Sequence, residues 1–423
     1  MSLYSAFYSG LSGLSSNASA LNVIGNNLSN INTVGFKGST MTFRDIFASA
    51  GATATQGNGN PIQFGLGVQT NSVNQDFAQS SFQSTGNALD MALQGNGFFT
   101  LQTPSGTQVF SRAGNFTRDS LGYLVASDGS SVMGWNRDAA GNVVTTTAMV
   151  PVQVSAATLG AQATTDMSLG VNLNANAVAG STFQTAVQVY DSLGNSQNLT
   201  ITYTKGAGNS WTYAVAGPAG AVITGTPALP GTITFDATGK ISSLNGGPTP
   251  PVPGDNSVLN ITWPGGSAAN STINFDIINA DGSQTFTGLS SASTTVSSSQ
   301  NGFPAGTLRD LTVDSDGMIT GTFTNGQILK MAQLAVSSFT NVNGLEQSGN
   351  NHWSQTLASG APTIGLANQG GRGAILGSNL ELSNVDVASE FTKLIVSQRG
   401  YQANSRIVTT TDELLQETLN LKR

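Results

Sequence analysis

The residues that could do chemistry in this chain are few, and their spacing does not fit the common catalytic sites. His352 is the only histidine, and no Gly-x-Ser-x-Gly motif supplies the nucleophile of a hydrolase triad. Cysteine is absent, which excludes a catalytic thiol, a disulfide and a cysteinyl zinc site. The 22 acidic residues form no convincing cluster, although a separated carboxylate pair for glycoside hydrolysis stays open here.

Two glycine-containing segments resemble ligand-binding loops only in part. In the EF-hand register, Asp314-Ser315-Asp316-Gly317 would put Thr312 at position one and Phe323 where a bidentate glutamate is needed, so we expect a hairpin turn there. Gly95-Asn96-Gly97 precedes Phe98 instead of joining a strand to a helix, and we expect a tight turn instead of a nucleotide site. These segments therefore predict no metal site and no cofactor site.

Composition favours turn-rich β structure and wide contacts between subunits. Charged residues make up 9% of the 423 positions, against about 25% in a typical globular chain. The net charge of -7, without a basic cluster, argues against nucleic acid binding. No apolar run reaches the roughly 18 residues of a membrane span, so no membrane insertion is expected. The N-terminus also lacks a recognisable secretory signal, so export would need another route.

The first 30 residues predict a long helix without charge. Apolar residues recur every seven positions and again four residues later, which is the spacing of a helix that packs against another helix. The predicted contact residues are Phe7, Leu11, Leu14, Ala18, Leu21, Ile24 and Leu28. No charged residue occurs before Lys37, so the helix lacks the charged face of an ordinary surface helix. Its glycines and polar residues are mediocre helix formers, and we expect partners to stabilise it.

A second helix is predicted at the C-terminus. It is expected to begin near Asn384, whose side chain can cap the run from Val385. Its predicted contact residues are Val387, Phe391, Leu394, Tyr401, Val408 and Leu415. Another face carries charged residues, among them Glu390, Lys393, Arg399, Arg406, Asp412, Glu413 and Glu417. The simplest arrangement pairs the two terminal helices and places further copies of the chain beside them.

Between the helices, short apolar alternations separated by turn residues predict β structure. For example, the turn 191–195 between the runs 186–190 and 199–203 predicts a hairpin. The predicted fold class is α+β multidomain, with paired N- and C-terminal helices forming a coiled-coil-like domain and nested, mainly antiparallel β domains between them. The predicted domains are a discontinuous terminal helical domain (1–30 with 384–423), an extended linker or arm (31–71), an inner β domain (72–150 with 286–365), an outer inserted β domain (151–285) and a return linker (366–383).

Two long motifs beside the helices resemble those of the bacterial flagellar rod and hook proteins. Segment 26–37 is similar to the N-terminal signature of this family, and segment 381–391, continued through 398–404, is similar to its C-terminal partner. The motif residues are Asn26, Asn27, Asn30, Thr33, Gly35, Phe36 and Lys37 at the N-terminus and Glu381, Ser383, Asn384, Val385, Asp386, Gln398, Arg399 and Tyr401 at the C-terminus. Segments 191–200, 306–327 and 339–345 resemble the hook members more than the rod members, and the length also suits a hook subunit.

The resemblance implies a structural subunit without catalytic activity. Many copies would form a short curved helical tube around an export channel, acting as a universal joint that transmits torque from the motor to the filament. The implied partners are further copies of the chain, the distal rod protein, a hook cap protein, hook–filament junction proteins and the flagellar type III export apparatus. The implied location is the extracellular flagellar hook, reached without a cleaved signal peptide.

Two alternatives stay open at this point. A distal rod protein of the same family is disfavoured by the middle motifs and the length, and a β-rich secreted adhesin or cell-wall enzyme would carry a cleavable signal. Within a tube, we expect the charged face of the C-terminal helix to face the water-filled channel, because burying unpaired charge is costly. The uncharged N-terminal helix would then lie between it and the shell.

Overall fold

Two terminal helices and a β-rich middle make up the fold, as seen in a computed structural model that describes residues 3–46, 65–138, 142–154, 158–247, 256–266, 268–278 and 282–420. The predicted α+β multidomain class with paired terminal helices is confirmed. The chain forms two compact units, the first comprising 1–155, 310–321 and 328–423 and the second 156–309 and 322–327. Neither helix among the described residues contains an apolar stretch that could cross a bilayer.

The first unit contains both helices and most of the short strands. Its N-terminal part contains α1 (Leu3–Ser29), β1 (Ser39–Asp45), β2 (Val68–Gln75), β3 (Phe82–Ser84), β4 (Met91–Gln94), β5 (Phe98–Gln102), β6 (Gln108–Ser111), β7 (Thr117–Arg118), β8 (Leu124–Val125), β9 (Ser131–Asn136) and β10 (Val150–Pro151). Its C-terminal part contains β25 (Ile328–Leu334), β26 (Val336–Ser338), a 3₁₀ turn (Val342–Gly344), β27 (Glu346–Gly349), β28 (His352–Ser354), β29 (Thr363–Gly365), β30 (Ala374–Gly377), β31 (Asn379–Glu381) and α2 (Val387–Asn420).

The second unit contains twelve of the described strands. They are β11 (Thr158–Leu159), β12 (Asp166–Asn172), β13 (Thr182–Tyr190), β14 (Ser196–Lys205), β15 (Ser210–Ala216), β16 (Val222–Thr226), β17 (Gly231–Phe235), β18 (Ile241–Leu244), β19 (Ser257–Thr262), β20 (Ser271–Asp276), β21 (Phe286–Thr287) and β22 (Thr294–Gln300). Two further strands run from one unit into the other, β23 (Gly306–Val313) and β24 (Met318–Phe323).

The first unit has its β core around β5, whose first four residues are all buried. This strand pairs antiparallel with β6, β9 and β26. Its Phe98 packs edge-to-face against Trp353 at 5.5 Å and against Phe339 at 5.9 Å between ring centroids. Such contacts between aromatic rings stabilise a core beyond the area they bury. The indole Nε1 of Trp353 donates to Gln75 Oε1 at 2.7 Å, which ties this core to the end of β2.

The segment predicted as an extended linker, 31–71, contains ordered β structure at both ends. Strand β1 pairs antiparallel with β2, from Ser39 opposite Gln75 to Asp45 opposite Val68. Residues 47–64 of the predicted linker lie outside the described residues. The hairpin packs on α1, since Val68 N donates to Ser12 Oγ at 3.2 Å. The polar alternation in 68–75 provides few apolar residues by which to recognise a strand, and the extended arm with bounds 31–71 stays a prediction.

The predicted return linker, 366–383, is also part of the β structure. Strand β30 pairs antiparallel with β4, and β31 pairs antiparallel with β3. The returning chain therefore joins the strands that follow the β1–β2 hairpin. These pairings connect positions almost 300 residues apart in sequence, for example Phe82 and Glu381, so no local pattern could have shown them.

The second unit contains two sheets around one large core. One sheet has the order β16-β19-β20-β12-β21 with β22 beside β12, and the other has the order β13-β14-β15-β17-β18. Its largest fully buried side chains include Trp211, Tyr203 and Phe275. The predicted hairpin is confirmed, with Ala186 opposite Thr200. Residues 286–309, assigned from sequence to the inner domain, belong to this unit because β21 and β22 both pair with β12; the other predicted boundaries remain predictions.

A recurrent aspartate turn explains the segment that resembles a calcium loop. Asp314 Oδ1 accepts hydrogen bonds from the backbone amides of Asp316 at 3.1 Å and Met318 at 2.8 Å. The same pattern, with amides two and four residues later, recurs at Asp119, Asp191 and Asp236. The carboxylate is thus used to close a turn, and the predicted hairpin turn at 314–317 is confirmed. Gly95 and Gly97, with φ of 103° and 125°, form the predicted turn before β5.

We predict that Asp191→Asn weakens the β13–β14 hairpin in a pH-dependent manner. Asp191 is 3% exposed and accepts bonds from Leu193 N and Asn195 N, each at 2.9 Å. Burial alone would raise the pKa of Asp191, but the hydrogen bonds from Asn195 and Leu193 outweigh it and lower the pKa. The stabilisation is therefore present above the unfolded pKa of about 3.9 and is lost as the pH falls through the folded value.

At pH 7 the loss should be about 1.5–3 kcal/mol, the range for hydrogen bonds to a charged group. Hydrogen exchange of the amides in 182–205 measures it, and the difference between wild type and variant should shrink towards pH 2.5. A difference that is constant over this pH range would contradict the assignment.

Candidate assembly site

The two terminal helices pack antiparallel against each other along a seam of small and polar residues. A Cβ placed on Gly13 would lie 2.5 Å from Asn404 Nδ2, and one placed on Gly400 would lie 2.9 Å from Asn17 Oδ1. At the far end of the seam, Asn27 Nδ2 donates to Glu390 Oε2 at 3.2 Å. Glycine fits at these crossings because an asparagine side chain of the other helix occupies the space that a larger side chain would need.

The residues of α1 that contact α2 are not all those that the heptad spacing predicts. Leu11, Ala18 and Gly25 were expected in the seam, four residues after each heptad position, but Leu11 is 47% exposed. The buried positions on α1 are instead Gly10, Gly13, Ser16, Ala20, Ile24 and Asn27. The contact between α1 and α2 within one chain therefore uses smaller residues than the prediction selected, and Leu11 and Ala18 stay predicted contacts between copies.

The heptad columns flank this seam and are only partly covered. Phe7, Leu14, Leu21 and Leu28 on α1 and Leu394, Val408 and Leu415 on α2 are half-buried. Others on α2 are more exposed, with Val387 at 42%, Phe391 at 47% and Tyr401 at 43%. The single chain therefore leaves much of the predicted contact surface uncovered.

Helix geometry puts both heptad columns on the same side of the pair. At about 100° per residue, the column through Phe7 and Leu28 lies roughly 80° from the seam of α1. The column through Val387 and Leu394 is displaced from the seam of α2 in the same rotational sense. Because the helices run antiparallel, equal senses of rotation bring both columns to one side. We call this side the heptad face; the opposite side, where β1 and β2 cover α1, is the hairpin face.

A buried ion pair joins the two ends of the chain at the base of the helices. Lys37 Nζ lies 2.7 Å from Glu381 Oε1, and both side chains have 0% exposure. Arg112 lies beside them, with one guanidinium nitrogen 3.7 Å from Glu381 Oε2. Burial lowers the pKa of Lys37, and the hydrogen bond and the charge of Glu381 oppose that effect. Removal of Lys37 would leave the buried Glu381 with only the longer contact to Arg112, and removal of Glu381 would leave both cations without this carboxylate.

Four protein-family models match the chain over the segments that form this site and the β units. Their descriptions are flagella basal body rod protein (residues 7–37), flagellar hook protein FlgE/F/G D1 domain (92–202), flagellar basal body protein FlaE D2 domain (158–303) and flagellar basal body rod FlgEFG protein C-terminal (377–421). The flagellar hook protein FlgE of Borreliella burgdorferi is 34% identical, with 99% of each chain covered. The chain belongs to the flagellar hook protein FlgE family.

Further relatives agree with this family over the full length. The flagellar hook protein FlgE of Salmonella typhimurium is 30% identical, with 99% of this chain and 100% of that one covered. The crystal structure of Helicobacter pylori flagellar hook protein FlgE2 has a TM-score of 0.51 at 16% identity, covering 72% of this chain and 100% of that one, which shows a shared fold. The chain is thus a structural subunit of the flagellar hook, and the hook prediction is confirmed over its alternatives.

The N-terminal family motif contacts the C-terminal motif directly. Gly35 N donates to the carbonyl of Glu381 at 2.8 Å, and Gly38 N donates to Asn384 Oδ1 at 2.8 Å. Gly35 has φ +64, and a Cβ there would lie 2.7 Å from Ala113 N, so only glycine fits. The two motifs are therefore two halves of one junction.

The remaining motif residues have more local roles. Asn30 donates to Asn26 Oδ1, and Thr33 donates to Asn30 Oδ1. Phe36 is buried, the carbonyl of Ser383 accepts from Ser80, and Val385 N donates to Ser383 Oγ. Gln398 and Arg399 lie exposed on α2, well along the helix from the junction.

The N-cap of the C-terminal helix lies two residues after the predicted one. Helix α2 begins at Val387, and Asp386 Oδ1 accepts the Ser389 amide at 2.8 Å, the bond of an N-cap. Asn384 instead spans the junction, because its Oδ1 accepts from Gly38 and its Nδ2 donates to the carbonyl of Asp76 at 2.7 Å. Both residues are good caps, and sequence alone could not separate them.

Several residues of this site escaped sequence reasoning. Arg112 comes from a β segment without any motif, and only the fold brings it to Glu381. Gly10 and Gly13 did give a signal, since two glycines three residues apart are unfavourable for a helix unless a neighbouring element packs closely there.

His352, the only histidine, lies in β28 with Nδ1 3.5 Å from Asp128 Oδ2, and burial lowers its pKa against the opposing charge of Asp128.

We predict that the close crossing at Gly13 cannot accept a large side chain. Gly13→Leu should destabilise the helix pair by about 1–3 kcal/mol, the cost of overpacking, because the new side chain meets Asn404. Gly25→Leu is the matched control, since nothing lies within 4 Å of a Cβ there. It should be neutral, or stabilising by up to about 1 kcal/mol through helix propensity. Far-UV circular dichroism melting measures both, and equal effects would contradict the seam.

We also predict that the ion pair in which both side chains are buried is more important for stability than the pair whose lysine is exposed. Lys37→Met should cost about 3–5 kcal/mol because Glu381 would stay charged and buried. Lys37→Met combined with Glu381→Gln should recover part of this loss. Lys393→Met is the control, since Lys393 is 47% exposed although its partner Glu390 is only 7% exposed; because water can take over part of the lost contact, this variant should cost less than Lys37→Met. Urea unfolding followed by tryptophan fluorescence tests this, and equal costs at positions 37 and 393 would refute it.

Proposed function

We propose that copies of this chain polymerise through the helix pair into a curved tube with a central export channel, which acts as a universal joint and transmits torque from the motor to the filament. The observation that supports this proposal is the uncovered apolar surface on the helices. Seven large apolar residues of α2 are at least 42% exposed: Val387, Phe391, Ile395, Val396, Tyr401, Ile407 and Leu414. Exposed apolar residues concentrated on one element mark an interaction surface.

The proposed assembly residues are those of the two predicted contact sets. The heptad face presents large apolar side chains from both helices to a neighbouring copy, namely Phe7, Leu14, Leu21, Leu28, Val387, Leu394 and Tyr401. Burial of each large side chain contributes about 1.5–3 kcal/mol. A rigid base favours such an assembly, because the Lys37–Glu381 pair and the Asn384 bonds fix both helices to the first unit. Contacts between copies are then made by preformed surfaces at lower entropic cost.

The orientation of the helices in the tube follows from their charges. Arg399, Arg406, Glu413 and Glu417 are exposed and lie on the side of α2 that faces away from α1. Helix α1 has no charged residue and is covered by β1 and β2 on one side. We place the charged side of α2 at the channel and α1 between α2 and the shell, which leaves the charges in water.

The proposed partners and the proposed export route are those of the hook protein family. The partners would be the distal rod protein, a hook cap protein, hook–filament junction proteins and the flagellar type III export apparatus. The subunit would be exported to the extracellular hook without a cleaved signal peptide. It would need no cofactor and no catalytic residue, since the proposed role rests on surface contacts alone.

We predict that Leu14→Asp or Leu21→Asp abolishes polymerisation while both β units stay folded. A carboxylate in the contact surface must be desolvated without a partner, which costs several kcal/mol and should raise the critical concentration more than about 100-fold. Leu357→Asp is the control, because Leu357 is fully exposed in the β part of the first unit. Electron microscopy under polymerising conditions scores the tubes, and tryptophan fluorescence confirms the fold. Normal curved tubes from the position 14 and 21 variants would contradict the proposal.

A further inference from the structure

The hairpin face contains an apolar cavity at the start of α2. Its volume is ≈ 260 Å³ and its walls come from α1, β1 and α2. The apolar lining residues are Ala20, Val23, Ile24, Met41, Phe43 and Val396. Phe43 and Val396 are 46% and 65% exposed, so the cavity opens to the surface. A cavity of about 150 Å³ already accommodates a benzene ring, and this one therefore has room for an aromatic side chain.

An uncovered aromatic side chain lies on the other side of the same helix at the same height. Phe391 is 47% exposed, and its neighbour Val387 on the heptad face is 42% exposed. Five residues separate Phe391 from Val396, a rotation of about 140° around α2 and a rise of about 7.5 Å. The phenylalanine and the cavity therefore lie at nearly one level and face away from each other, so one chain cannot bring them together.

We infer that Phe391 of one copy inserts into the hairpin-face cavity of a second copy of this chain. This inference rests on the proposed function and names one of its subunit contacts. The charged residues in the lining of the cavity, Glu390 and Lys393, pair with each other at 2.6 Å, so an inserted phenylalanine ring meets apolar residues and an ion pair that is already compensated. Two different complementary surfaces on opposite sides of one molecule form a head-to-tail contact, which repeats to give a ring or a helix instead of a closed dimer.

The arrangement also determines how neighbouring copies lie. Because Phe391 and the cavity are at the same height along α2, the neighbour sits beside the first copy with little axial shift. Lys393 and Glu390 both line the cavity, with side chains 47% and 7% exposed, and they pair with each other. The contact thus covers apolar side chains and a compensated ion pair, and it buries no unpaired charge.

Site-directed cross-linking tests this contact, and the absence of cysteine from the chain leaves only the introduced thiols. Phe391→Cys and Met41→Cys are made in separate full-length chains, mixed and polymerised with an excess of wild type, so that neither variant has to assemble alone. Oxidation should give a disulfide-linked dimer between positions 391 and 41. Val178→Cys is the control partner for Phe391→Cys, since Val178 is 77% exposed in the second unit, and should give no dimer.

The outcomes separate this contact from the proposed function. Wild-type tubes without the bridge between positions 391 and 41, or with a bridge between two copies of position 391, would overturn the contact and leave the proposed function standing. Failure of wild-type protein to form any tube would overturn both. As a second measurement, Phe391→Ala should raise the critical concentration of polymerisation about tenfold or more, since one aromatic side chain per contact is lost. An unchanged critical concentration would also refute the contact.

Discussion

The buried pair of Lys37 and Glu381 is the interaction on which the rest of the structure depends. The two residues are 344 positions apart and both are fully buried, at a separation of 2.7 Å. A charge in such a place is tolerated only with its partner present, so neither terminal motif can take up its position alone. The pair fixes the end of α1 and the approach to α2 at one point of the first unit, and the antiparallel helix pair follows from that constraint.

Because the two helices cross on small residues, the large apolar residues of the heptad positions remain available for contacts between copies. Gly10, Gly13 and Gly400 let the helices meet along backbone and asparagine side chains, where a conventional coiled coil would use its large apolar residues. Phe7, Leu14 and Phe391 are thereby left at the edges of the pair. A subunit that buried these side chains within one chain would be a more stable monomer but would have less apolar surface for contacts with other copies.

Sequence reasoning recovered what is encoded locally and missed what depends on distant contacts. The uncharged helix, found at Leu3–Ser29, and the hairpin of β13 and β14 follow from periodicity and turn residues. Leu11 lies outside the contact between the two helices of one chain, because periodicity shows which residues are apolar and not which of them one chain covers. Arg112 and the strands in 366–383 could not be found, since their partners are far away in the chain and carry no local pattern.

The positions of the few charged residues in the terminal helices determine which surfaces can be buried. Each charged residue here belongs either to the paired group at the junction and cavity rim, as Lys37 and Lys393 do, or to exposed positions such as Arg399 on α2. The heptad positions themselves carry no charge, and the lining of the cavity carries only the mutually paired Glu390 and Lys393. Since desolvation of an unpaired charge costs far more than an apolar side chain gains, this distribution determines which sides of the helix pair can be covered by other copies and which must stay in water.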